Sequence, residues 1–228
     1  MRYFIAFTIK SMISTFIQEK YMKSILIFSF LCFASACFES TTQANNGQET
    51  SEIQPNSFAA KLSAAALNLT NDKVSYDPTY FKITYPKGDV PADKGVCTDV
   101  VIRAYRKLGV DLQKEVHEDM KANFGIYPKK WGLSKTDTNI DHRRVPNLMT
   151  FFARKGTKKK VTDNGKDYLP GDVVTWNLGG GLTHIGIVVN KKSSDQKRFK
   201  IVHNIGNGQE LSDCLFEYDV SGHYVYGK

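Results

Sequence analysis

"DVVTWNLGGGLTHIGIVVN", residues 172–190, is the stretch that settles the class of fold. Two runs rich in β-branched and aromatic residues, 172–178 and 183–190, flank a glycine-rich loop. In the second run Ile185, Ile187 and Val189 take one face of a strand and His184 the other. Downstream, "FKIVHNIG" (199–206), "DCLFEYDV" (213–220) and "GHYVYGK" (222–228) read as further strands. Upstream the period changes to that of helices in "FAAKLSAAALNL" (58–69), in 97–108, in "DLQKEVHEDMKANF" (111–124) and in "VPNLMTFFARKG" (145–156). A short strand is expected at "YFKITYP" (80–86), ahead of a Gly/Pro/Asp turn. Helices first and an antiparallel run afterwards is an α+β arrangement.

The helix at 97–108 opens on a cysteine, in "GVCTDVVIRAYRKLG" (95–109). Val100, Val101, Ala104, Tyr105 and Leu108 share one of its faces, and Gly109 stops it. The first turn of a helix has unpaired N–H groups and the positive end of the dipole, which favour a thiolate and can hold an oxyanion. A cysteine nucleophile also needs an imidazole to accept and return its proton, and a second polar group to fix that ring's tautomer. His184 on the strand supplies the first; His203, or failing that Asn204, supplies the second. The reading requires Cys97 Sγ within about 4 Å of one ring nitrogen of His184. A buried structural cysteine, a Cys97–Cys214 disulfide and a zinc site built from Cys97, His184 and His203 are the rival readings. No C-x-x-C or H-E-x-x-H spacing supports the metal, and no motif calls for a cofactor.

Compartment bears on that choice. "MKSILIFSFLCFASAC" (22–37) has a basic residue, Lys23, an apolar run too short to span a bilayer, and small residues before Cys37. It has the form of a lipoprotein signal, with Met22 as the true start and Cys37 lipidated after cleavage; the polar residues 38–57 then form a flexible tether. An ordinary secretory signal is the alternative, and Ala34 stands where a lipobox prefers Leu. Removing residues 1–37 takes away four basic side chains and one acidic one, so the net charge falls from +8 to +5. A mildly basic exported chain suits an anionic envelope partner. The clusters "KGTKKK" (155–160) and "KKSSDQKRFK" (191–200) sit at expected loops, and no nucleic-acid motif accompanies them.

"LPGDVVTW" followed by "HIGIVV" resembles the signature of the NlpC/P60 superfamily of papain-like cysteine peptidases. "YPKGDVPADKGVCTDVVIRAYRKLGVDLQ", "VHEDM", "NIDHRRVPNL", "HIGIVV", "HNIG" and "GHYVY" resemble, more closely and over about residues 60–226, domain-of-unknown-function family 1287 of the same clan. The resemblance implies a papain-like α+β domain over 58–228 with an insert at about 110–165. It implies Cys97 as nucleophile, His184 as base, His203 as the third polar residue, and Tyr85 near the oxyanion site. Two departures matter. The usual "DCSG" is "VCTD" here, so Asp99 puts a carboxylate in the first turn that can cap N–H groups or oppose the thiolate. The insert adds Trp131 and "DHRR" (141–144).

Asp141, His142, Arg143 and Arg144 read as a salt-bridged turn or, if they face the cleft, as a grip on a substrate carboxylate. His117 and Asp119 read as helix surface, and His223 as a packed strand residue. The expectation is an exported, lipid-anchored envelope cysteine hydrolase that cleaves an amide bond, with peptidoglycan stem peptides as the first substrate class. A non-catalytic envelope binding protein and an acyl transferase are the alternatives. Oligomeric state stays open.

Overall fold

The structure, a computed structural model, describes residues 54–227. Four α-helices stand among them: Phe58–Leu69 (α1), Cys97–Lys107 (α2), Leu112–Ala122 (α3) and Val145–Lys155 (α4). Strands β1 (Ser75–Tyr76) and β2 (Lys94–Gly95) form a small parallel pair. The main sheet has six strands: Thr157–Lys158 (β3), Val173–Gly179 (β4), Leu182–Lys192 (β5), Phe199–His203 (β6), Glu210–Ser212 (β7) and Asp219–Val225 (β8). Their order is β3-β8-β4-β5-β6-β7, and every pairing is antiparallel. The α+β class is therefore as expected, and none of the helices is long and apolar enough to cross a membrane.

The alternation in β5 divides two cores. Ile185, Ile187 and Val189 pack with Val173 and Val202 against Leu62, Val100, Val101, Ala104, Leu148 and Phe152 of the helices. On the other face Val174, Trp176, Val188 and Ile201 pack with Tyr168, Cys214 and Leu215. Helix α1 is anchored at both levels. Ser57 caps it by accepting from Ala60 N–H, and Ser63 Oγ accepts the β5 amide of Asn190 at 2.8 Å. Gly171 of the "PGD" turn lies so close to Ala59, with φ +93°, that a side chain there would overlap it. Asp172 of the same turn accepts from Leu169 N–H, Lys159 Nζ and buried His223 Nε2, joining the start of β4 to β8. The "PGD" block is thus a structural corner.

Two segments differ from the sequence reading. Residues 80–86 form no strand, because their backbone groups bond to side chains of the insert rather than to another strand. Ile83 N–H donates to Asn139 Oδ1 at 2.9 Å, and the Thr84 carbonyl accepts from Gln113 Nε2 at 2.8 Å. The stretch 213–220 is broken by a turn in which Glu217 N–H donates to the Cys214 carbonyl, so β7 and β8 fall on either side of it.

Gly186 decides how closely β5 and β6 approach. A methyl there would come within 2.6 Å of Ile201 Cγ2, 3.0 Å of the Val202 carbonyl oxygen and 3.2 Å of His203 Cβ. We expect Gly186→Ala to push β6 away and cost roughly 1–3 kcal/mol, the usual range for overpacking. Urea unfolding of the two proteins measures this; an unchanged midpoint would show that the strands tolerate the extra carbon.

Candidate functional site

Cys97 and Cys214 are both free and buried, so the disulfide reading does not hold. Cys97 is the first residue of α2, packed in the helix-side core. Burial pushes its thiol up to about 12, opposed by hydrogen bonding from the backbone N–H of Ile185 and those of Thr98 and Cys97, and reinforced by the Asp99 charge. Backbone N–H groups near the sulfur thus favour the thiolate, and one of them belongs to the residue after His184. Strand β6 stops at His203, which leaves that stretch of β5 open to the end of α2. Asn204 then ties the strand end to β2, donating from Nδ2 to the Gly95 carbonyl at 3.2 Å.

His184 and His203 sit on the sheet face of Trp176 and Ile201, both rings buried. Nε2 of His184 and Nδ1 of His203 are 2.9 Å apart. Burial first, then His203, holds His184 down to about 3; burial holds His203 down to about 4. Both rings are neutral at pH 7, so one nitrogen of the bonded pair carries hydrogen and the other accepts it. The Trp176 ring lies 5.6 Å from His184 and is itself fixed by Nε1 donating to the Leu215 carbonyl. Of the two contacts expected of His184, the orienting one is made by His203, with Asn204 bonded to Gly95 instead, and the hydrogen bond expected with Cys97 is not made. Among the described residues no hydrogen bond joins His184 to Cys97; the amide near the thiol is that of the next residue, Ile185.

Asp99 does not face a ligand. Its carboxylate accepts Val96 N–H at 2.7 Å and both Nε (2.9 Å) and Nη2 (3.0 Å) of Arg143, with acid and guanidinium almost wholly buried. Arg143 also donates to the Thr79 carbonyl, and its own carbonyl accepts from Thr98 Oγ1. Its fork is therefore spent on the end of α2, and the substrate-carboxylate reading of Arg143 is corrected to an internal clamp. Arg144 stacks over Trp131 at 4.1 Å, with Asp141 at 4.0 Å. Asp141 and His142 are buried rather than open to a cleft. Burial raises Asp141 to about 6 and, with the Arg143 and Arg106 charges, lowers His142 to about 3.

Tyr85 is also displaced from its expected place. Its ring packs at 5.1 Å against His117 of α3, among Glu118, Lys114 and Asp111. The tyrosine beside the thiol is Tyr76 of β1, paired with Gly95, whose hydroxyl is raised by burial and then by Cys97 and Asp99. No spacing in the sequence distinguished it. Asp119, expected on the helix surface, is buried and accepts from Tyr127 Oη and Arg154 Nε. Cys214 was likewise missed: its sulfur lies 3.5 Å from His203 Nε2. Cys37 lies outside the described residues.

The family described as "Domain of unknown function (DUF1287)" matches residues 63–226. The chain is 48% identical over 175 residues to "Uncharacterized protein YijF" of Escherichia coli (strain K12), covering 77% of this chain and 84% of that protein. No solved structure matches it.

Two measurements follow from the buried charges. Arg143→Ala leaves the buried Asp99 carboxyl without its ion-pair partner and should cost about 3–5 kcal/mol in denaturant unfolding; a loss below about 1 kcal/mol, typical of an exposed pair, would return Arg143 to the surface. His142 binds its proton near pH 6.5 when unfolded and near 3 when folded, so its share of stability is complete above 6.5 and lost as pH falls through that window. Asp141 works in the opposite sense, its share being present below 3.8 and lost as pH rises through about 6. His142→Gln should therefore make the fall in Tm between pH 6.5 and 4 shallower, whereas a parallel curve would mean a solvated histidine.

Proposed function

We propose that this chain, which belongs to the DUF1287 family, is a papain-like cysteine hydrolase of the NlpC/P60 type that cleaves amide bonds. The observation that carries the reading is the 2.9 Å bond between His184 Nε2 and His203 Nδ1, set one residue from Ile185, whose amide neighbours the Cys97 thiol. That bond occupies Nε2 of His184 and leaves Nδ1 as the nitrogen for the nucleophile's proton.

In the resting site thiol and imidazole are both neutral, so attack is base-assisted rather than by a preformed thiolate. Cys97 Sγ–H gives its proton to His184 Nδ1 as the sulfur bonds to the amide carbonyl carbon. The carbonyl oxygen becomes an oxyanion, held by N–H groups at the start of α2, with Tyr76 Oη beside them. The tetrahedral adduct collapses, the C–N bond breaks and His184 returns the proton to the leaving amine. A water, deprotonated by the same ring, then attacks the thioester and frees the acid and the thiol. The form of residues 22–37 supports an exported protein held in the bacterial envelope through lipid on Cys37, and that location makes peptidoglycan stem peptides the first substrate class.

A second reading has an observation of its own. A thiol at about 12 without a bond to His184 also suits a binding protein on this scaffold, whose cleft holds wall peptide without cutting it. Mass spectrometry of muropeptides incubated with wild type and with Cys97→Ala separates the two. New fragments from wild type alone, ending in a free carboxyl, support hydrolysis; carboxyl groups capped by an amine mark a transferase; identical digests leave the binding protein. For a hydrolase, Cys97→Ala and His184→Ala should each abolish turnover as fully as the pair, since groups acting as a unit are not additive. His203→Ala should lose roughly 10- to 1,000-fold, because nucleophile and base remain while tautomer and position do not.

A further inference from the structure

The His184–His203 bond settles which nitrogens meet and leaves open which one carries the hydrogen. His203 uses both its nitrogens. Nδ1 meets His184, and Nε2 meets Cys214 Sγ at 3.5 Å, with Glu210 Oε1 at 4.0 Å from the same nitrogen. Both neighbours come from the segment that follows β6: Glu210 pairs directly with His203 in the β6–β7 ladder, and Cys214 starts the turn after β7.

A chain of neutral imidazoles has a direction, because each ring has one N–H and one acceptor. In one direction Cys214 donates S–H to His203 Nε2, His203 Nδ1–H donates to His184 Nε2, and His184 is left with hydrogen on Nδ1. That ring cannot accept a proton there. In the other direction His184 Nε2–H donates to His203 Nδ1, His203 Nε2–H donates to the sulfur, and His184 Nδ1 is a free lone pair. A carboxylate can only accept, so the partly exposed Glu210 favours hydrogen on Nε2, and the thiol sulfur gives that hydrogen a buried acceptor.

We propose that Cys214 and Glu210 are positioning residues that hold His203 as the Nε2–H tautomer and so keep His184 Nδ1 free to act as base. This rests on the function proposed above, with Cys97 as the nucleophile. It also gives a role to a thiol that otherwise reads as one more apolar filler behind the sheet.

The test has two arms on the full folded domain. Nitrogen-15 NMR of the histidine rings reads the tautomers directly, and the rate of Cys97 alkylation by iodoacetamide at pH 7, with the modified peptide identified by mass spectrometry, reads the base. Wild type should show Nε2–H on both His184 and His203. Glu210→Gln together with Cys214→Ala should move both rings toward Nδ1–H and slow Cys97 alkylation about tenfold, equivalent to roughly 1.4 kcal/mol of tautomer preference. Cys214→Ser, which keeps an acceptor of similar size, should stay near wild type, and the partly exposed Glu210→Gln alone should shift the rings in the same direction as the double variant. Hydrogen on Nδ1 of His203 in wild type, unmoved tautomers in the double variant, or moved tautomers with an unchanged alkylation rate would each overturn the proposal. His184→Ala keeps the two ideas apart: if it leaves Cys97 alkylation unaltered, His184 is not the base and the proposed function falls; if it slows alkylation and the end variants do not, only the positioning role falls.

Discussion

The hydrogen bond between two buried, neutral imidazoles is the constraint around which the rest is arranged. A charged partner on either ring would anchor it more strongly, but an ionised carboxylate at this depth would carry a desolvation cost of several kcal/mol. A neutral pair avoids that cost and demands geometry instead. The two rings must project from neighbouring strands on the same face, within a diagonal's reach of one another. The antiparallel register Ile187↔Val202 and Val188↔Ile201 sets His203 opposite Gly186 and diagonal to His184, and the bare α-carbon of Gly186 lets the strands come together beside His203. Trp176 and Leu215 close the far side and keep water from competing for the ring nitrogens.

The charges that the chain does bury lie a few residues away, where they fix the end of α2. Asp99 is the acid that seemed to threaten a thiolate. In the fold it is bonded twice to Arg143 and once to Val96 N–H, so the carboxylate caps the helix and is paired, while its charge still raises the thiol. The insert thereby becomes part of the helix end: removing the 141–143 turn would leave Asp99 as an uncompensated charge directly below the sulfur. "VCTD" and "DHRR" are two halves of one structural device, which accounts for a motif that departs from "DCSG" without loss of the helix.

The sequence made the α+β class, the helix opened by Cys97 and the division of β5 into two faces legible, because all three rest on local periodicity. His184 and His203 were legible as a pair because each sits on a strand at a position facing away from the apolar alternation. What was not legible depends on long-range placement. Arg143 meets Asp99 across 44 residues of chain, and no local pattern distinguishes a salt-bridged turn from a substrate grip. Tyr85 and Tyr76 both precede the nucleophile in irregular stretches, and only the β1–β2 pairing, two residues long, brings the second beside Gly95. Cys214 read as structural because its neighbours in sequence are apolar, and its neighbour in space is a histidine.

The depth of the centre also says something about when chemistry would begin. With burial raising the thiol and lowering His184, moving a proton from sulfur to imidazole in the resting protein is unfavourable. The sulfur sits at the helix end, near the backbone N–H groups that favour its thiolate. What the resting site lacks is a reaction partner that converts developing negative charge on sulfur into charge on an oxyanion, where the same N–H groups can hold it. Under the proposed mechanism proton transfer is therefore coupled to attack, and an idle site stays a neutral thiol. A neutral thiol is also slow to oxidise, since oxidation proceeds through the thiolate. Under the proposed mechanism, burial that looks like evidence for an inert residue is also a means of keeping the nucleophile reduced between turnovers.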